Sequence, residues 1–139
     1  MESKTFLNFL PTNFRHEKSF FIQNNLTDFE KLSNLSDLEI NQIQRKSSLC
    51  TLNNLKKIRA IAIFKKEIGI SPAEAYLLLH CGISSTKSLS LFSPYELQRK
   101  IGRLERSLRV KTNRDMTFSL LKEWIKKASQ IDKSIENLG

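Results

Sequence analysis

The sequence predicts an all-α protein in which two similar helical-hairpin units pack as one domain and a last helix closes the core. Three observations lead there. From Thr27 onward apolar residues recur three and four apart, as one face of a helix requires. At several segment starts a serine or threonine stands three residues before a glutamate. In that pattern the hydroxyl caps the helix and the carboxylate bonds back. The stretch beginning near Ser36 also repeats near Ser71. No alternating strand pattern competes. Ile58 to Ile63 is β-branched but lies inside a longer stretch of helical spacing. Four glycines and three prolines in 139 residues are too few for a turn-dense β-sandwich.

Residues 1–26 stand apart as an aromatic-rich arm. Five of the nine phenylalanines lie there (Phe6, Phe9, Phe14, Phe20, Phe21). Phe6, Leu7, Leu10 and Phe14 would make one helical stripe, but Pro11 limits any helix through it. Pro11 and Asn13 also cut short the apolar stretch, so no secretory signal is expected. Two readings of the arm stand: its aromatics lie on the domain, or they dock a partner or touch a membrane.

Residues 27–135 form the domain and 136–139 a tail. Capping boxes are expected at Thr27/Glu30, Ser36/Glu39, Ser71/Glu74 and Ser93/Glu96. The helix from Ser93 sets Leu97, Ile101, Leu104 and Leu108 in one stripe, with Arg99, Arg103 and Arg106 off it. The last helix, from about Asp115, turns Phe118, Leu121, Trp124, Ile125, Ala128, Ile131 and Ile135 inward. Its outer face holds Lys122, Lys126, Lys127 and Lys133.

Leu35-Ser36-Asp37-Leu38-Glu39-Ile40 overlies Ile70-Ser71-Pro72-Ala73-Glu74-Ala75, matching the cap serine, its glutamate and the apolar positions. With one residue dropped in the next loop, Leu49 falls on Ile83, Leu55 on Leu89 and Ile58 on Phe92. The chain reads as helix, tight hairpin, helix, loop, and the same again. Neither unit alone could bury its apolar stripe, so both must share a core.

Ile68-Gly69-Ile70-Ser71-Pro72, then Ala75, Leu78 and Leu79, then Cys81-Gly82-Ile83, resembles a helix-hairpin-helix unit. Gly82-Ile83-Ser84-Ser85-Thr86-Lys87-Ser88-Leu89 is similar to a stretch of tandem helix-hairpin-helix proteins, and Trp124-Ile125-Lys126-Lys127-Ala128 to the closing helix of one branch. That branch is a family of uncharacterised bacterial proteins, common in cyanobacteria, known as a domain of unknown function. The resemblance covers about Asn25 to Ser129. It implies two hairpin units and, by analogy across the superfamily, nucleic-acid binding without sequence selectivity. The family pattern places two glycines in the hairpin, where backbone meets phosphate. Here Gly69 is kept but Ser71 replaces the second glycine, and the first unit has Asn34 and Ser36. Asn34 tolerates a left-handed backbone and serine can cap, so the turn can form. Asp37, Glu39 and Glu74, however, put carboxylates where a phosphate would sit.

The net charge of +9 lies elsewhere. One cluster is Lys56, Lys57, Arg59, Lys65 and Lys66. The other is Arg99, Lys100, Arg103, Arg106, Arg109, Lys111 and Arg114, opposed only by Glu105. Arginines that fork onto phosphates, sharing a helix face, make an electrostatic footprint for DNA or RNA. The expected function is non-catalytic nucleic-acid binding through these faces and Gly69. The alternative is a protein-interaction module that kept the fold, for which an acidic protein is the natural partner of a basic chain.

Catalytic chemistry is not expected. His16 and His80 lack ligand spacing, no CxxC exists, and His80-Cys81 has no identified base, so neither metal nor cofactor is expected. There is no P-loop and no dinucleotide fingerprint. Trp124 with Phe118 reads as core. Two cysteines build no disulfide framework and suit a reducing cytoplasm, and no apolar run reaches the length of a membrane span.

Overall fold

A computed structural model describes residues 7–108 and 118–138, with side chains described over 7–106 and 118–131. Among the described residues the regular elements are all helical. A 3-10 turn, Thr12–Phe14, precedes α1 (Arg15–Gln23), α2 (Phe29–Ser33), α3 (Asp37–Lys46), α4 (Leu52–Glu67) and α5 (Pro72–His80). Then come α6 (Thr86–Ser90), α7 (Pro94–Leu108) and α8 (Phe118–Leu138). The chain divides into two compact units, Met1–Ala73 and Glu74–Gly139, and the division falls inside α5. No described helix is long and apolar enough to cross a membrane.

In the first unit α2 and α3 pack on α4. Leu55, Ile58, Ala60, Ile61, Ala62 and Phe64 of α4 are all buried. A helix apolar around most of its circumference is one covered on several sides, and that is where the β-branched run from Ile58 to Ile63 lies. Leu32, Leu35, Ile40 and Ile43 complete this core. Residues 34–36 join α2 to α3. Asn34 has φ −93°, so this hairpin closes without the left-handed residue that its asparagine could have supplied. The left-handed non-glycine among the described residues is Asn25, φ 57°. It ends α1 in a Schellman turn, with Leu26 N–H on Phe21 O at 2.8 Å and Asn25 N–H on Ile22 O at 3.3 Å.

The arm belongs to the first unit's interior. Leu7, Phe14 and Phe21 are fully buried and Leu10 nearly so, while Phe9 is exposed and Phe6 lies outside the described residues. Burying each phenylalanine contributes about 1.5–3 kcal/mol. Pro11 stands where the apolar stripe breaks and precedes the 3-10 turn rather than sitting within a helix. Glu17, also buried, accepts from Thr51 N–H at 2.9 Å and from Asn54 Nδ2 at 3.3 Å. Asn54 Nδ2 also donates to Asn13 O at 3.0 Å. The carboxylate therefore satisfies backbone at the start of α4, where the helix dipole favours negative charge.

In the second unit α6 and α7 pack on α8. Leu77, Leu78, Ile83, Leu89, Leu97 and Ile101 are buried, with Leu121, Trp124 and Ala128 from α8. Phe118, Ile125 and Ile131 are half-buried, as is Leu104. The side chains of Leu108, Lys133 and Ile135, and all of Asp115, lie outside the described residues. Gly82, φ +83°, closes α5: Ile83 N–H meets Leu78 O at 2.9 Å and Gly82 N–H meets Leu79 O at 3.0 Å. That Schellman turn seats Ile83 in the core.

Of the expected caps, Ser36/Glu39 forms both of its bonds, each 3.1 Å. Ser93/Glu96 does the same at 3.3 and 3.2 Å. Thr27 is not the cap of α2. Asp28 takes that place, accepting from Glu30 N–H at 3.0 Å, because a carboxylate one residue nearer the helix reaches the second amide directly. Ser71 immediately precedes α5, and Glu74 is buried. Two further caps, Thr51 on α4 and Ser85 on α6, stand at corresponding positions of the repeat. Leu35 and Ile70, Ile40 and Ala75, and Leu55 and Leu89 are buried in both copies. Leu49 is 62% exposed where its counterpart Ile83 is 0%.

Candidate functional site

The two basic clusters meet different fates. In the first, Arg59 Nη1 lies 2.8 Å from Asp37 Oδ1 and 3.0 Å from Leu35 O. It closes the first hairpin by joining a turn carbonyl and the first residue of α3. Lys66 Nζ reaches Asn34 Oδ1 at 3.4 Å, and Lys65 Nζ stands 5.1 Å from the centre of the Phe29 ring. Three of the five cations thus serve their own unit, leaving Lys56 exposed and Lys57 half-buried.

Gly69 is exposed, φ +88°, and an added Cβ would meet nothing within 4 Å. Its amide is nonetheless engaged, donating to both Phe64 O and Lys65 O at 3.1 Å, and Ile70 N–H reaches Phe64 O at 3.3 Å. These two hairpin amides point back into α4. The start of α3 is likewise occupied, because Ser36 N–H and Glu39 N–H bond within the capping box. A phosphate finds no waiting donors at these atoms.

The second cluster keeps its charge outward. Arg99, Arg103 and Arg106 of α7 are exposed, and no ion pair joins any of them to a carboxylate among the described residues. At 100° per residue the three fall opposite the buried Leu97 and Ile101. On the wheel of α7 the carboxylate flanking this arc is Glu96, which is turned back to accept from Ser93 N–H. Arg106 Nη1 lies 3.6 Å from where a Cβ on Gly102 would stand, an ordinary contact distance, so its guanidinium lies back along the helix beside Gly102. Lys100 is exposed but leans on Phe92, its Nζ 5.1 Å from the ring centre. Arg109, Lys111 and Arg114 lie outside the described residues.

Tyr95 is the residue that sequence reasoning passed over. It is 68% exposed in the first turn of α7, with its ring 4.6 Å from that of Phe118 and tilted by 49°. It sits four residues before Arg99, on the same row, and that spacing was the available signal. Trp124, by contrast, is 2% exposed and belongs to the core, as the sequence suggests.

Residues 11–131 match the family described as "Domain of unknown function (DUF4332)". The chain belongs to that family. The matched segment of this DUF4332 member takes in α1 to α7 and most of α8, and so includes the arm from Pro11 onward as well as both basic clusters. No curated protein and no solved structure matches the chain.

The thiols offer this family member no activated nucleophile. Burial pushes the Cys50 pKa up, a hydrogen bond with Ser47 opposes it and the nearby Glu17 charge adds to the rise. Burial raises Cys81 as well, against the pull of Lys100. A reactive cysteine needs the opposite shift. Tyr76 and His80 pack edge to face at 4.5 Å. No group of three or more histidine, cysteine or acidic side chains that could hold a metal occurs among the described residues.

Proposed function

We propose that this DUF4332 chain is a non-catalytic nucleic-acid-binding module with little sequence selectivity, and that α7 carries the contact. The observation behind this reading is the row of exposed Arg99, Arg103 and Arg106, whose guanidiniums have no acidic partner among the described residues. Each can fork onto a phosphate, and a row of them tracks a backbone without reading bases. Lys56 and Lys57 add a lesser patch on the first unit. Arg59, Lys65, Lys66 and Gly69 are better accounted for as parts of the hairpins. A pair of helix-hairpin-helix units remains our reading of the architecture. It rests on the short connections at residues 34–36 and 68–71 and on the matched burial of Leu35 with Ile70 and Leu55 with Leu89.

Fluorescence anisotropy against labelled oligonucleotides across a salt series tests the function. The full chain should lose affinity steeply as salt rises, because each phosphate contact releases counterions. Changing Arg99, Arg103 and Arg106 together to glutamine should flatten the slope of log K against log salt by roughly 2–3. Binding indifferent to salt, or to the triple change, rejects the reading.

A second reading, a protein-interaction module, is favoured by two exposed leucines of the first unit: Leu38, 65% exposed between Asp37 and Glu39, and Leu49, 62% exposed. Under it Leu38→Ser would abolish partner capture while the triple arginine change would not.

A further inference from the structure

We propose that Tyr95 is a stacking platform for an unpaired nucleobase, so that the polyanion taken by α7 is a single strand. This rests on reading the arginine row as a phosphate track and names its substrate class.

Tyrosine is a large side chain, and 68% exposure leaves most of its surface to be covered by something. Its ring is nevertheless held, because Phe118 of α8 lies against it at 4.6 Å. A held ring loses little freedom when a base lands on it, so more of the stacking energy appears as affinity.

The charge lies in register with this platform. Tyr95, Arg99 and Arg103 follow one another at steps of four residues, about 6 Å of rise each. At 100° per residue Tyr95, Arg99, Arg103 and Arg106 fall within an arc of about 80°, centred opposite Leu97 and Ile101. A base on Tyr95 would therefore have its own backbone leading onto the arginines. Duplex DNA hides its base faces in the stack and would offer Tyr95 nothing, whereas a single strand presents a π-face at every nucleotide. The combination of cationic track and aromatic step suits single-stranded DNA or RNA.

The test compares three labelled probes on the full chain: an oligothymidine, an abasic strand of equal length and a duplex of equal length. The wild-type chain should prefer oligothymidine to the abasic strand. Tyr95→Ala should weaken oligothymidine binding roughly 5- to 150-fold, the value of one stacked base, and leave the abasic strand unchanged. Tyr95→Phe should bind like the wild type, since stacking needs the ring and not the hydroxyl. Tyr95→Leu preserves an apolar contact for Phe118 and should behave as alanine does, which separates stacking from folding. If Tyr95→Ala and Tyr95→Leu leave oligothymidine affinity intact while the triple arginine change abolishes it, the platform is refuted and the phosphate track stands. Preference for the duplex refutes the platform in the same way. Absence of salt-sensitive binding to all three probes refutes both.

Discussion

Replacing Glu17 by alanine should unfasten the arm from α4. The side chain is 1% exposed, and its two oxygens take Thr51 N–H at 2.9 Å and Asn54 Nδ2 at 3.3 Å. Hydrogen bonds to a charged acceptor contribute about 1.5–3 kcal/mol each, and a partly buried charge at a helix terminus up to about 2. These terms overlap, since Thr51 is itself the N-cap of α4, so the cost should be about 3 kcal/mol rather than their sum. Glu17→Gln keeps one acceptor oxygen and nearly the same volume, and should cost about half as much. Trp124 lies in the other unit, so its fluorescence is the wrong probe. Amide hydrogen exchange along α4 is the right one, with far-UV circular dichroism in urea beside it. A loss of about 3 kcal/mol should speed α4 exchange about 100-fold. The double variant with Asn54→Ala should fall short of additivity, because the two side chains share one bond. Alanine at position 17 costing less than about 0.5 kcal/mol, with α4 protection unchanged, would refute the argument that the arm is fastened through this carboxylate.

Three further outcomes follow from the same geometry. Arg59→Ala should cost about 1 kcal/mol in urea unfolding, since the guanidinium is mostly covered but its partner Asp37 is 73% exposed, and nucleic-acid affinity should stay within about two-fold. Gly82→Ala should lose about 1–2 kcal/mol although its Cβ would have open space, because φ +83° strains an L-residue, and thermal unfolding reads this directly. Both thiol pKa values are raised above 9.0 by burial, so the folded chain keeps protons that the unfolded chain releases. That contribution to stability is complete below pH 9.0 and is lost as pH rises through the raised values. Urea midpoints should therefore fall above pH 9, less steeply in Cys50→Ser, and both thiols should react slowly with a disulfide reagent at neutral pH.

What could be read in advance is what depends on neighbours in the chain. Ser36 with Glu39 and Ser93 with Glu96 are three residues apart, and a helix of any origin brings such a pair together. The same local logic erred at Thr27, where Asp28 was an equally good acceptor one place closer. The α7 face was legible because it is a single helix: Leu97 and Ile101 inward fixes Arg99, Arg103 and Arg106 outward. The first basic cluster was not legible, because Arg59 meets Asp37 from 22 positions away and only packing of α3 on α4 makes them neighbours.

By itself, then, the sequence determined the helical class, the helix starts at Ser36 and Ser93, the buried stripes and the outward arginine row, all set by one- to four-residue periodicity and propensity. Tertiary structure decided which polar groups are consumed. Glu17 is held by residues 34 and 37 positions further on, Arg59 closes a hairpin, Leu49 emerges where its repeat mate Ile83 sinks, and Tyr95 stays out while Trp124 goes in. Periodicity ranks the faces of one helix, but whether a side chain is satisfied or left exposed depends on what another segment brings within about 3 Å. That distance has no counterpart along the chain.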